Sequence, residues 1–106
     1  MVNAVRRGEV WWAEAPNVGR RPFLVMSRPE VIPVLRTVLV VPATRTVRSI
    51  PSEVRLTRDD GMPDECALSF DNATVIDKTL LVERICALDP ARMHDACRAW
   101  NAAAAC

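Results

Sequence analysis

Four arginines and four hydroxyls of this 106-residue chain crowd into two short segments. One is Gly19-Arg20-Arg21-Pro22-Phe23-Leu24-Val25-Met26-Ser27 and the other is Thr44-Arg45-Thr46-Val47-Arg48-Ser49. A guanidinium group is planar, permanently charged and able to bond two phosphate oxygens at once. Cations and hydroxyls gathered in this way, with few acids beside them, suit gripping a phosphodiester. They would also stabilise the charge it gains as it is cut. The same composition fits a solvated polar loop, because a cluster of charge is no more than a footprint of nucleic-acid binding.

The residues around these groups say how they are held. Pro22 fixes its own φ and pushes Arg21 towards an extended backbone, so Arg21 stands on a stiff base. Leu24, Val25 and Met26 are apolar without interruption, as in a strand covered on both faces, and the second strand is predicted over Phe23–Ser27. A first strand is predicted over Glu9–Glu14, with a turn at Pro16–Gly19. Pro29 and Pro33 leave at most a short helical turn between Arg28 and Leu35. The run Thr37–Val41 is the most apolar and is expected at the centre of a sheet. Ser52–Leu56 alternates as a strand with one wet face, and Cys66–Phe70, Ala73–Ile76 and Leu81–Leu88 complete the strands. Asp89-Pro90 is an N-cap followed by proline at the first helical position. Met93, Ala96, Cys97 and Trp100 then recur as one apolar stripe, and Ala102–Cys106 is expected to fray. Adjacent strands bring the two arginine segments side by side at their ends. Short strands with one terminal helix imply a small, strongly bent antiparallel sheet or barrel of the SH3-like kind, a mainly β (α+β) fold.

Composition narrows the function classes. The length suits one domain over residues 1–106. Net charge is only +1, yet residues 1–58 hold ten arginines against four acids while the remainder holds four basic residues against nine acids. This division suggests a basic face. Lys78 is the one lysine. The cysteines at 66, 86, 97 and 106 lack the close spacing of zinc or dithiol sites. The N-terminus has no apolar segment of the secretory type and no run is long enough to cross a bilayer, so a cytoplasmic protein with reduced thiols is expected. His94, the sole histidine, falls beside the helix stripe and is read as a surface residue. The acids Asp59, Asp60, Asp64 and Glu65 lack the ordered spacing of a calcium loop and read first as a solvated turn. They also suit mimicry of nucleic acid or pairing with basic loops of a second subunit. Of Trp11 and Trp12, neighbours in a strand, one must face away from the other and is available for an interface or for base stacking.

In this order the segments resemble the MazF/PemK family of toxin endoribonucleases. The resemblance rests on Arg6-Arg7-Gly8-Glu9-Val10-Trp11, then Arg21-Pro22-Phe23-Leu24-Val25-Met26-Ser27, then Val41-Pro42-Ala43-Thr44 with Pro51 and Glu53-Val54-Arg55-Leu56. It continues through Ala67-Leu68-Ser69-Phe70-Asp71-Asn72, Ile76-Asp77-Lys78 and Leu81-Val82-Glu83-Arg84-Ile85. It implies a CcdB/MazF-like barrel with a C-terminal helix, working as a homodimer. It further implies cleavage of single-stranded RNA at short sequences without metal or other cofactor. The substrate's own 2′-hydroxyl attacks, leaving a 2′,3′-cyclic phosphate and a 5′-hydroxyl. Carried onto this chain, the resemblance makes Arg21 and Thr44 catalytic; RNA contacts are expected at Asn17, Arg20, Arg45, Thr46, Arg48 and Asn72. The family's Asp-Gln pair becomes Asp71-Asn72. The implied protein partner is a disordered, MazE-like antitoxin that wraps the dimer and covers the RNA groove. Two segments depart from many relatives: Ala15–Arg20 is shorter, and Arg45-Thr46-Val47-Arg48 is more basic. Both would alter which RNA sequence is read. The fold also admits a non-catalytic toxin that binds DNA gyrase, as CcdB does, or a degenerate toxin kept for antitoxin binding. Arginine is too basic to act as a general base, and the sequence offers no evident alternative.

Overall fold

The computed structural model describes residues 4–16 and 19–105. Seven strands run in the order β1 (Glu9–Ala15), β2 (Gly19–Val25), β3 (Thr37–Thr44), β4 (Glu53–Leu56), β5 (Cys66–Ser69), β6 (Thr74–Asp77) and β7 (Leu81–Ala87), followed by helix α1 (Pro90–Ala104). Every strand pairing is antiparallel, and the spatial order is β4-β5-β3-β2-β1-β7, with β6 also on β3. The apolar third strand is central, as expected, but longer. Its first half, Thr37–Val40, pairs with β6, and its end, Ala43 and Thr44, pairs with β5. One strand serving three partners bends the sheet sharply, and irregular register between β1 and β7 adds twist.

Neighbouring apolar residues feed two cores, because side chains alternate across a strand. Val10, Leu24 and Val41 pack in one cluster with Leu56, Leu68, Phe70, Ala96 and Ala99. Trp11, Val25 and Val40 pack in the other with Val38, Ile32 and Leu81. The unbroken Leu24-Val25-Met26 run is thus buried on both faces. Glu9 closes the start of β1. Its buried carboxylate accepts from the Arg6 amide at 2.7 Å and the Trp11 indole at 3.1 Å, and Arg84 donates to it at 2.8 Å. A buried acid is tolerated when it is paired and hydrogen-bonded in this way.

Strand ends elsewhere shift by a few residues, and three differences from the sequence expectation change how side chains are placed. Strand β2 begins at Gly19 rather than Phe23, so Arg20 and Arg21 lie inside a strand and not at its mouth. Proline fits at 22 because β3 pairs with β2 only from Phe23 onward, leaving the first half of β2 with β1 as its sheet neighbour. Phe70–Asn72 forms a turn of 3-10 helix instead of ending the strand. Helix α1 continues through the alanines to Ala104 rather than fraying from Ala102, since alanine is the strongest helix former. Its Asp89 cap accepts from the Arg92 amide at 2.8 Å, as the sequence implies. The stripe is shifted: Ala96 and Ala99 are buried, Met93 and Trp100 pack partly against the core, and Cys97 is exposed. Trp100 sets its ring edge-on to Phe70, 6.5 Å between centroids.

Candidate functional site

The hairpin β1–β2 and the end of β3 build one wall of a cavity of about 390 Å³; the segment before β5 builds the other. Arg20, Arg21, Thr44 and Arg45 all line it, so residues more than twenty positions apart meet as the sequence suggested. Among the described residues no side chain or backbone group holds the guanidinium of Arg21 or Arg45, and both residues are exposed. Thr44 is half-buried at the end of β3, and its hydroxyl oxygen accepts from the Thr46 amide at 3.2 Å. Accepting that bond leaves the hydroxyl proton free to donate into the cavity.

The remaining candidate residues stand elsewhere. Thr46 and Arg48 follow β3 on an exposed loop, and Arg48 turns towards Glu53, whose carboxylate accepts from its backbone amide at 2.9 Å and from its guanidinium at 3.5 Å. Asn72 lies at the far end of β5, donating to the Ser69 hydroxyl at 2.8 Å, outside the cavity. Asp71 accepts from Ser52 at 2.5 Å. Asn17 falls outside the described residues. His94 is exposed on α1, away from this cavity.

One electrostatic expectation is corrected. The arginines are not free of acids, because Arg20 bonds both Glu14, at 3.2 Å, and Glu83, while its guanidinium lies 5.0 Å from the centre of the Trp12 ring. Glu83 is distant in sequence and reaches Arg20 because β7 flanks β1, with Glu83 opposite Trp12. Arg20 is thereby a fixed, largely neutralised element that orients Trp12, and the net positive charge of the wall resides in Arg21 and Arg45. Trp11 is buried, whereas Trp12 is half-buried and borders the cavity, which resolves the pair into one core residue and one site residue.

The opposite wall carries Met62, Pro63, Asp64, Glu65 and Cys66, whose acids the sequence connected with basic loops only of a second subunit. The acidic block was visible, but its placement depends on how β5 docks beside Thr44. Burial pushes the Cys66 thiol up to about 11, and the negative charges of Cys86, Asp60, Asp64 and Glu65 push the same way. Burial also raises Cys86, against the pull of Arg84. A thiol held protonated is not a nucleophile. Alkylation at pH 8 is therefore expected to label exposed Cys97 first and Cys66 only on unfolding; equal labelling rates in the native protein would contradict this. The unfolded chain releases the Cys66 proton near the ordinary thiol value of 9.0, whereas the fold retains it to about 11. Stability is accordingly expected to decline as pH rises through that window.

Residues 6–103 match the family described as PemK-like, MazF-like toxin of type II toxin-antitoxin system. A protein named probable endoribonuclease MazF2 from Mycobacterium tuberculosis is 41% identical over 103 residues, spanning 96% of this chain and 100% of the relative. Another, probable endoribonuclease MazF5 from the same species, is 42% identical over 101 residues, with 94% and 93% covered. Among solved structures, an endoribonuclease in complex with its cognate antitoxin from a mycobacterial species superposes with a TM-score of 0.87 at 25% identity, covering 96% of both chains. The Mycobacterium tuberculosis toxin MazF-mt6 superposes at 0.83 with 28% identity, covering 92% of this chain and 96% of that one.

Proposed function

The chain belongs to the PemK-like, MazF-like toxins of type II toxin-antitoxin systems, and on that premise we propose that it is an endoribonuclease cutting single-stranded RNA at the Arg21–Thr44 cavity. The observation that carries this reading is the pair of unpartnered guanidinium groups, Arg21 and Arg45, facing one cavity together with the Thr44 hydroxyl. The nucleophile is the RNA's own 2′-hydroxyl. Its oxygen bonds to phosphorus as it loses its proton. The bond from phosphorus to the 5′ oxygen breaks, and that oxygen takes up a proton to leave as a hydroxyl. Arg21 and the Thr44 hydroxyl stabilise the charge building on the phosphoryl oxygens, and Arg45 holds the adjoining backbone. Trp12, fixed by Arg20, offers a face for one base. Thr46, Arg48 and Asn72, which stand outside the cavity, would meet a longer strand away from the cut.

The protein works as a homodimer in the cytoplasm, and an antitoxin that covers this groove silences it, in keeping with the antitoxin complex of the mycobacterial relative. The gyrase-binding alternative gives way because the similar proteins are named endoribonucleases. The well-formed helical terminus of α1 is no argument against it. The test is incubation with mixed-sequence single-stranded RNA in EDTA, with the cut ends mapped. Discrete cuts leaving cyclic phosphates are expected, weakening as salt is raised. Intact RNA after incubation with folded protein would overturn the proposal.

A further inference from the structure

A carboxylate has no favourable contact with a phosphate backbone, yet Asp64 and Glu65 share the cavity with Arg21, Thr44 and Arg45. The segment that presents them is held at both ends. Thr57 and Asp60 form a reciprocal cap on the 3-10 helix Arg58–Asp60, and Arg92 of α1 bonds Asp60 at 2.9 Å. Met62 is buried in the core, its sulfur 3.7 Å from that of Cys86, and the Arg58 guanidinium donates to the Pro63 carbonyl at 3.2 Å. Strand β5 follows directly at Cys66. The two acids are not equivalent. Glu65 is bonded by Arg55 at 2.5 Å, whereas Asp64 has only a 4.0 Å approach to Arg58, with both side chains largely exposed. Asp64 is therefore the carboxylate left available to a molecule in the cavity.

Resting on the endoribonuclease reading, we infer that Asp64 is a specificity-determining residue that accepts hydrogen bonds from the Watson–Crick edge of a guanine seated beside the cut. An ionised carboxylate is purely an acceptor with two oxygens side by side. In single-stranded RNA the Watson–Crick edges are free to be read. Guanine presents two adjacent donors there, the ring N1–H and the exocyclic amine, which match the two oxygens of Asp64. Adenine and cytosine present one amine beside a ring acceptor, and uracil sets its single N–H between two carbonyls that a carboxylate repels. The cavity then divides its labour: Arg21 and Arg45 take the backbone, Trp12 takes a base face, and Asp64 takes a base edge.

The experiment is cleavage of an RNA library, mapped at each motif position, by the unaltered protein, Asp64→Ala and Asp59→Asn. Asp59 belongs to the same acidic segment but not to this cavity. The unaltered protein and Asp59→Asn are expected to favour guanine at one position, and Asp64→Ala to lose about 10–100-fold of that preference while still cutting. Replacing that guanine by inosine, which lacks the exocyclic amine, is expected to slow the unaltered protein and leave Asp64→Ala unchanged. The inference fails alone if the unaltered protein cuts without guanine preference, or if Asp64→Ala keeps the full preference. It fails too if folded Asp64→Ala no longer cuts any RNA, since the carboxylate would then serve the chemical step. If the unaltered protein cuts nothing, the endoribonuclease reading fails and takes this inference with it.

Discussion

Arg21→Ala is expected to slow RNA cleavage by about 10²–10³-fold, the loss typical when one fixed donor to a developing anion is removed. The melting temperature should hardly move. The Arg21 side chain is exposed and unbonded among the described residues, and its backbone pairing with Ala13 survives the change. Arg21→Lys keeps the charge but loses the planar two-point geometry, so an intermediate rate is expected. Arg20→Ala makes the informative contrast. It releases Glu14 and Glu83 and uncovers Trp12, so it should weaken RNA binding more than the chemical step. Single-turnover rates in EDTA on one defined RNA separate these cases. A rate for Arg21→Ala within about twofold of the unaltered protein would remove Arg21 from the catalytic machinery.

The largest expected effect on stability comes from Gly61→Ala. Gly61 ends the 3-10 helix with φ of +101°, a left-handed conformation that disfavours any side chain. A Cβ there would stand 2.7 Å from the Cβ of Cys86, which belongs to strand β7 and cannot swing away. Left-handed strain of about 1–2 kcal/mol adds to overpacking of about 1–3 kcal/mol. A total near 3 kcal/mol should lower the melting temperature by about 10 °C or more in a domain of this size. The change should also displace the segment through Pro63, Asp64 and Glu65, so the choice of cut site should blur. Thermal unfolding checks the first effect, and a melting temperature within about 2 °C of the parent would show that the Cys86 contact is relieved at little cost.

Much of the scaffold was legible in the residues. Asp89-Pro90 announced the start of α1, the Thr37–Val41 run announced a central strand, and the Trp11-Trp12 pair announced one inward and one outward ring. Each signal is local, since caps, periodicity and strand alternation act within a few residues. The start of β2 was not legible. Pro22 reads locally as an interruption, and it is accommodated only because β3 leaves that half of β2 without a second neighbour. The share of Asp64 and Glu65 in the cavity was equally hidden, because it follows from the docking of β5 against Thr44.

The sequence by itself determined the family, the strand and helix inventory and the arginines and threonines from which the cavity draws its set, because residue type and short-range spacing carry all three. Tertiary structure alone decided which of those charges remain available. Arg20 is neutralised by Glu83 across 63 positions of sequence and Arg48 by Glu53, while Arg21 and Arg45 keep their charge facing the cavity. The physical reason is that ion pairing depends on distance in space, which the bend of β3 and the placement of β7 beside β1 set.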